Sequence, residues 1–64
     1  MDDHEDRVVE EKAQLDGKIG RLSDFMHGDA YQTLSATDQG LLMVQFRIMK
    51  SYSQVLADRI RRFS

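Results

Sequence analysis

Two histidines, His4 and His27, and two pairs of adjacent acids, Asp2-Asp3 and Glu10-Glu11, are the side chains best able to move a proton or hold a metal. Their spacing supports neither task. The histidines lie far apart with no ligand spacing around them. Neighbouring acids on a helix point to different faces and cannot share a proton. There is no Cys, which removes a thiolate nucleophile, a thiolate metal site and a disulfide together. Ser23, Ser51 and Ser53 have no evident basic partner to activate a hydroxyl. No glycine-rich loop of phosphate-cradling spacing occurs. These residues predict a protein that is not an enzyme and needs no cofactor or metal.

The remaining chemistry is that of charge. Lys and Arg side chains neutralise phosphates, and Arg does so with two parallel hydrogen bonds. The net charge of -2 excludes a general affinity for DNA or RNA polymers, which calls for a basic excess. The charges are nevertheless unevenly spread. Residues 1–16 carry seven acids, Asp2, Asp3, Glu5, Asp6, Glu10, Glu11 and Asp16, against Arg7 and Lys12. Residues 47–64 carry Arg47, Lys50, Arg59, Arg61 and Arg62 against Asp58 alone. In an antiparallel hairpin the acidic start lies beside the basic end, and mutual neutralisation is the simplest role for both.

The elements that would position these residues are helices. Pro is absent and 31% of the residues are charged, which points to an all-α chain. Val8, Leu15, Ile19, Leu22 and Phe25 or Met26 form one narrow stripe, predicting a first helix from Asp3 or His4 to about Met26. Asp2, Asp3, Glu5 and Asp6 suit the positive end of its dipole. Gly17 and Gly20 fall inside it, where each costs up to about 1 kcal/mol relative to Ala. Close packing or tolerance accounts for them most simply; an approaching ligand is the other reading. Gly28 is placed to cap the C-terminus of this helix. Residues 30–34 form a short connector with room for one helical turn, and Tyr31 and Leu34 are positioned to cover the end of the core. Ser35, followed by Asp38, reads as the N-cap of a second long helix over residues 36–63.

That second helix carries two apolar stripes. One comprises Leu42, Phe46, Met49, Leu56, Ile60 and Phe63. The other comprises Leu41, Val44, Ile48, Tyr52 and Val55. A partner with one narrow stripe cannot cover both, and a leftover apolar patch of this size usually marks an interface. A 64-residue domain buries only about 60% of its unfolded surface and commonly needs a staple. Without Cys or a metal site, that staple is self-association. The chain therefore reads as one helical-hairpin domain over residues 1–64, assembled into a homo-oligomer. No apolar run approaches the ~20 residues of a membrane span, and no signal peptide is evident.

Two ordered sets of residues carry a family resemblance. The first helix presents His4, Arg7, Val8, Val9, Glu11, Lys12, Leu15, Lys18, Ile19, Leu22 and Phe25. The second closes with Met49, Tyr52, Ser53, Leu56, Arg59 and Ile60. Together they resemble the small phage helical-hairpin domain shared by anti-CBASS and anti-Thoeris sponge proteins, most closely the stand-alone anti-CBASS sponge. The resemblance implies a homo-oligomer, a hexamer, acting in the cytoplasm of an infected bacterium. It implies binding of cyclic di- or trinucleotide messengers of antiviral signalling without cleaving them. It also implies ligand contacts from Lys18 and Arg59, a hydrogen-bonding role for His4, and a neighbouring contribution from Arg7. The chain departs from the family at Asp3, where members carry a base-stacking aromatic, and at Gly20, where they carry a hydroxyl. These departures weigh against a dinucleotide pocket more than against a trinucleotide site built on His4 and Arg59. The competing reading is a non-catalytic hairpin that docks its spare stripe on a host protein.

Overall fold

The computed structural model describes residues 3–63, and within them the chain is all-α. Three helices follow in order: α1, Asp3–Met26; α2, Asp29–Gln32; and α3, Ala36–Arg61. Asp2, the first acid of the leading adjacent pair, lies outside the described residues. The predicted elements are all present, and α3 ends two residues before the expected Phe63.

Capping chemistry sets the boundaries. Ser35, in extended conformation, accepts a hydrogen bond from the Asp38 backbone N–H at 3.1 Å and starts α3 as its N-cap. The end of α1 corrects one expectation. Gly28 has φ -98° and does not adopt the left-handed conformation of a glycine cap. Instead the last turn tightens: the His27 N–H donates to the Ser23 and Asp24 carbonyls, and the Gly28 N–H donates to the Phe25 carbonyl. The His27 ring nitrogen Nδ1 lies 2.7 Å from the Ser23 carbonyl oxygen, so the side chain also serves this end of the helix.

Helices α1 and α3 pack antiparallel. Lys12 and Ala57, Asp16 and Ser53, and Ile19 and Lys50 line one groove between them, which sets the register. The half-buried stripe of α1 meets the Leu42–Ile60 stripe of α3. Leu56 is fully buried, Val8 nearly so, and Leu15, Ile19, Phe46, Met49 and Ile60 are half-buried. Burying a side chain such as Leu56 contributes about 1.5–3 kcal/mol.

The connector end is the better-built part. Tyr31 is buried and meets Phe25 edge-on, with ring centroids 6.2 Å apart. Its hydroxyl donates to the Gln39 carbonyl at 3.0 Å. The Gln39 side-chain amide donates back to the Tyr31 and Leu34 carbonyls at 3.1 and 3.0 Å. This reciprocal clamp adds a second hydrogen bond to the Tyr31 carbonyl, which already accepts from the Leu34 N–H, and ties the connector to the first turns of α3.

The second stripe of α3 remains uncovered. Leu41 is 64% exposed, Val44 52%, Ile48 63%, Tyr52 44% and Val55 53%. The molecule is a rod of 46 × 15 × 13 Å with a radius of gyration of 14.7 Å, against about 11 Å for a compact chain of this length. Its accessible surface is 4885 Å², whereas a self-sufficient protein of its mass exposes about 4,200 Å².

Candidate functional site

The four candidate ligand contacts, His4, Arg7, Lys18 and Arg59, are all exposed. Helical periodicity places them. Along α1, Val8, Leu15, Ile19 and Leu22 face α3. Lys12 and Asp16 lie along one edge of that face and Arg7 and Lys18 along the other, whereas His4 lies in line with Leu22, at the open end of the face itself. Along α3, Lys50, Gln54 and Ala57 border the groove, and the exposed stripe lies on the opposite edge. Arg59 follows Tyr52 by seven residues and so continues that stripe. Arg7, Lys18 and Arg59 are thus on the side of the hairpin that carries the exposed apolar residues, and His4 stands at the open end of the seam between the helices.

They do not form one cluster within a single chain. Lys18 lies fourteen residues beyond His4, or about 21 Å along α1 at 1.5 Å per residue. The antiparallel register instead brings the first turns of α1, with His4 and Arg7, beside the last turns of α3, with Arg59 and Arg62. The structure therefore separates the candidates into two groups: His4, Arg7 and Arg59 at the open end of the hairpin, where the acidic first turns of α1 also lie, and Lys18 alone further along α1.

The expected neutralisation between the acidic start and the basic end does not form among the described residues. The two ion pairs they make are both within a helix, Lys12 to Asp16 at 2.6 Å and Arg61 to Asp58. Among the described residues no ion pair joins Arg7 to Glu11, and the ion pairs they make do not include Arg59. Exposed pairs of long side chains gain little and lose rotamer freedom, so adjacency alone does not lock them together.

The groove on the other side shares none of these residues. It has a volume of about 260 Å³ and is lined by Lys12, Asp16, Ile19, Lys50, Ser53 and Gln54, with Ala57. Asp16 organises it. The carboxylate accepts from Lys12 at 2.6 Å and from the Ser53 hydroxyl at 2.5 Å. The hydrogen bond from Lys12, then that from Ser53, holds the Asp16 carboxyl below its usual value of 3.8. Lys50 lies 5.4 Å from the centre of the Phe46 ring. Sequence reasoning missed this arrangement, because Asp16 and Ser53 are separated by most of the chain and no local motif joins them.

Gly20 and Gly40 have open space where a Cβ would project, and a Cβ on Gly17 would meet only the end of the flexible Arg21 side chain at 3.4 Å. Packing within the chain therefore does not demand these glycines. Among the described residues no group of three or more His, Cys, Asp or Glu is placed to hold a metal ion. No described helix is long and apolar enough to cross a membrane.

Among the described residues the chain is a helical hairpin with an uncovered apolar stripe and exposed cations that make no ion pair within it. Comparison with known proteins gives that class a family. The Sequestin family model matches residues 2–62, and the chain belongs to this family. It is also 47% identical over 57 residues, covering 89% of each chain, to an uncharacterized 7.5 kDa protein of the denB–rIIB intergenic region of Enterobacteria phage T4. No solved structure matches the chain.

Proposed function

We propose that this protein is a phage sponge for cyclic oligonucleotide messengers. Several copies assemble through the exposed stripe of α3, as the resemblance to hexameric anti-CBASS proteins suggests. The assembly binds a cyclic di- or trinucleotide and holds it without cleavage, so the bacterial effector that needs it stays off. The observation that carries this reading is the placement of Arg7, Lys18 and Arg59, exposed and on the same side as the unpartnered stripe, with His4 exposed at the open end of the hairpin. The Sequestin family name, which denotes sequestration, and the phage relative support it.

Each residue has a physical part in this scheme. Arg59 follows the stripe, so assembly around an axis along α3 brings its copies together. One guanidinium per chain then contacts one phosphate of a ring. His4 supplies a hydrogen bond from the adjoining start of α1, with Arg7 one turn further along. Lys18, remote from that end, serves a separate contact. Asp3 offers a carboxylate where a stacking ring would suit a base, and open space surrounds Gly20. The account therefore favours a trinucleotide at the His4–Arg59 end over a dinucleotide near Lys18.

The test is a thermal-unfolding screen with a panel of cyclic di- and trinucleotides. A ligand present at 100 times its Kd stabilises the folded state by about 2.7 kcal/mol, visible as a raised Tm. The expected result is a raised Tm with one cyclic trinucleotide, lost in R59A and retained in K18A. No shift with any member of the panel would turn the assignment toward a hairpin that docks on a host protein.

A further inference from the structure

Leu41, Ile48 and Val55 follow one another at intervals of seven along the exposed edge of α3, with Val44 and Tyr52 beside them. Intervals of seven are the repeat by which one helix meets another helix of the same pattern. The next step of this ladder is Arg62. It is exposed, forms the C-cap of α3, and makes no ion pair among the described residues. Its neighbour Arg61 is held by Asp58. Arg59 stands one turn before it on the same edge, and Arg7 lies across the hairpin end. The ladder therefore runs from apolar to cationic at one end only.

A second copy of this chain is the occupant that fits the apolar part. The opposite face of α3 is already taken by α1, the rod exposes more surface than a self-sufficient chain of its mass, and the ladder is self-complementary. If copies assemble around an axis along α3, as the sponge reading on which this step rests requires, their Arg59 and Arg62 side chains converge on one point. Cations so placed repel one another, and this end of the seam stays splayed until an anion fills it.

We infer that assembly and anion binding are coupled through Arg62: a polyanion seated between the Arg59 and Arg62 side chains of several copies closes the last step of the α3 seam. The ligand class is a compact polyphosphate or a ring of phosphodiesters. Arg62 acts both as an anion contact and as the residue that keeps the empty assembly weaker than its apolar stripe alone would make it. A polar residue at one position of an apolar ladder has this effect, weakening association while fixing the register.

The experiment is sedimentation velocity over a dilution series, with inorganic tripolyphosphate as the probe and NaCl of matched ionic strength as the control for screening. Wild-type protein should assemble at a concentration at least about tenfold lower with the probe than with NaCl. R62L, which completes the apolar ladder, should assemble more tightly than wild type without the probe and lose the dependence on it. R62Q should also lose the dependence, with helix content by circular dichroism confirming that both variants fold. Probe-independent assembly of the wild type, as in a pair whose α3 helices run antiparallel and keep Arg62 apart, overturns the inference. So does full probe dependence in R62L. The readout uses no cyclic nucleotide, so a failed Tm screen and a failed coupling remain separate results.

Discussion

The two apolar stripes of α3 are similar in length and composition and meet opposite fates. Leu56, on one, has no exposure at all; Ile48, on the other, is 63% exposed. The difference lies in α1, whose apolar residues form a single narrow band. A rod of two helices has one inside, so only one stripe of α3 can be spent on the fold. The uncovered stripe, with Arg59 and Arg62 continuing it, is the surface that the proposed assembly uses.

Substitutions that exchange these fates give the sharpest contrasts. Leu56→Ala should destabilise the hairpin by about 2–5 kcal/mol, measured by urea unfolding. In so small a domain this approaches the whole stability. Ile48→Asp should leave the hairpin of a single chain within about 0.5 kcal/mol of wild type. The same change should abolish self-association in sedimentation velocity. If Ile48→Asp unfolds the chain, the two stripes are not separable.

The connector end supplies a smaller contrast. Tyr31→Phe removes the hydrogen bond to the Gln39 carbonyl but keeps the ring against Phe25. It should cost about 0.5–1.5 kcal/mol. Gly20→Ala should stabilise α1 by up to about 1 kcal/mol, because nothing in the chain occupies the space of the new methyl group. Lost assembly or lost ligand binding in that variant would show another molecule approaching the helix there.

The smallest expected effect is that of pH on the groove. The folded Asp16 carboxyl is held below its ordinary value by Lys12 and then Ser53. Its contribution to stability is therefore present above the unfolded value of 3.8 and lost as pH falls through the lower folded value. Asp16→Asn should flatten the acid limb of the stability profile slightly. The carboxyl is solvent-exposed, so the change should be small.

Much of this architecture was legible in the sequence because its signals are local. Helix boundaries followed from periodicity and from Ser35 with Asp38. The division of α3 into two stripes followed from the spacing of Leu41, Val44, Ile48, Tyr52 and Val55 against Leu42, Phe46, Met49 and Leu56. What escaped depends on meetings between distant residues. The bond between Asp16 and Ser53 and the clamp between Tyr31 and Gln39 have no local signature. Gly28 looked like a left-handed cap, but a tightened last turn and the His27 ring serve that role. Opposite charges suggested neutralisation across the hairpin, whereas the ion pairs formed among the described residues stay within helices. The candidate contacts His4, Arg7, Lys18 and Arg59 came from a resemblance; the helical geometry adds the common side of Arg7, Lys18 and Arg59 and the separation of Lys18 from the rest.

Native mass spectrometry of the purified chain, alone and with a panel of cyclic di- and trinucleotides, tests the sponge assignment most directly. A discrete oligomer that takes up a fixed number of one intact cyclic nucleotide is the predicted result. A monomer that binds none of them would contradict it.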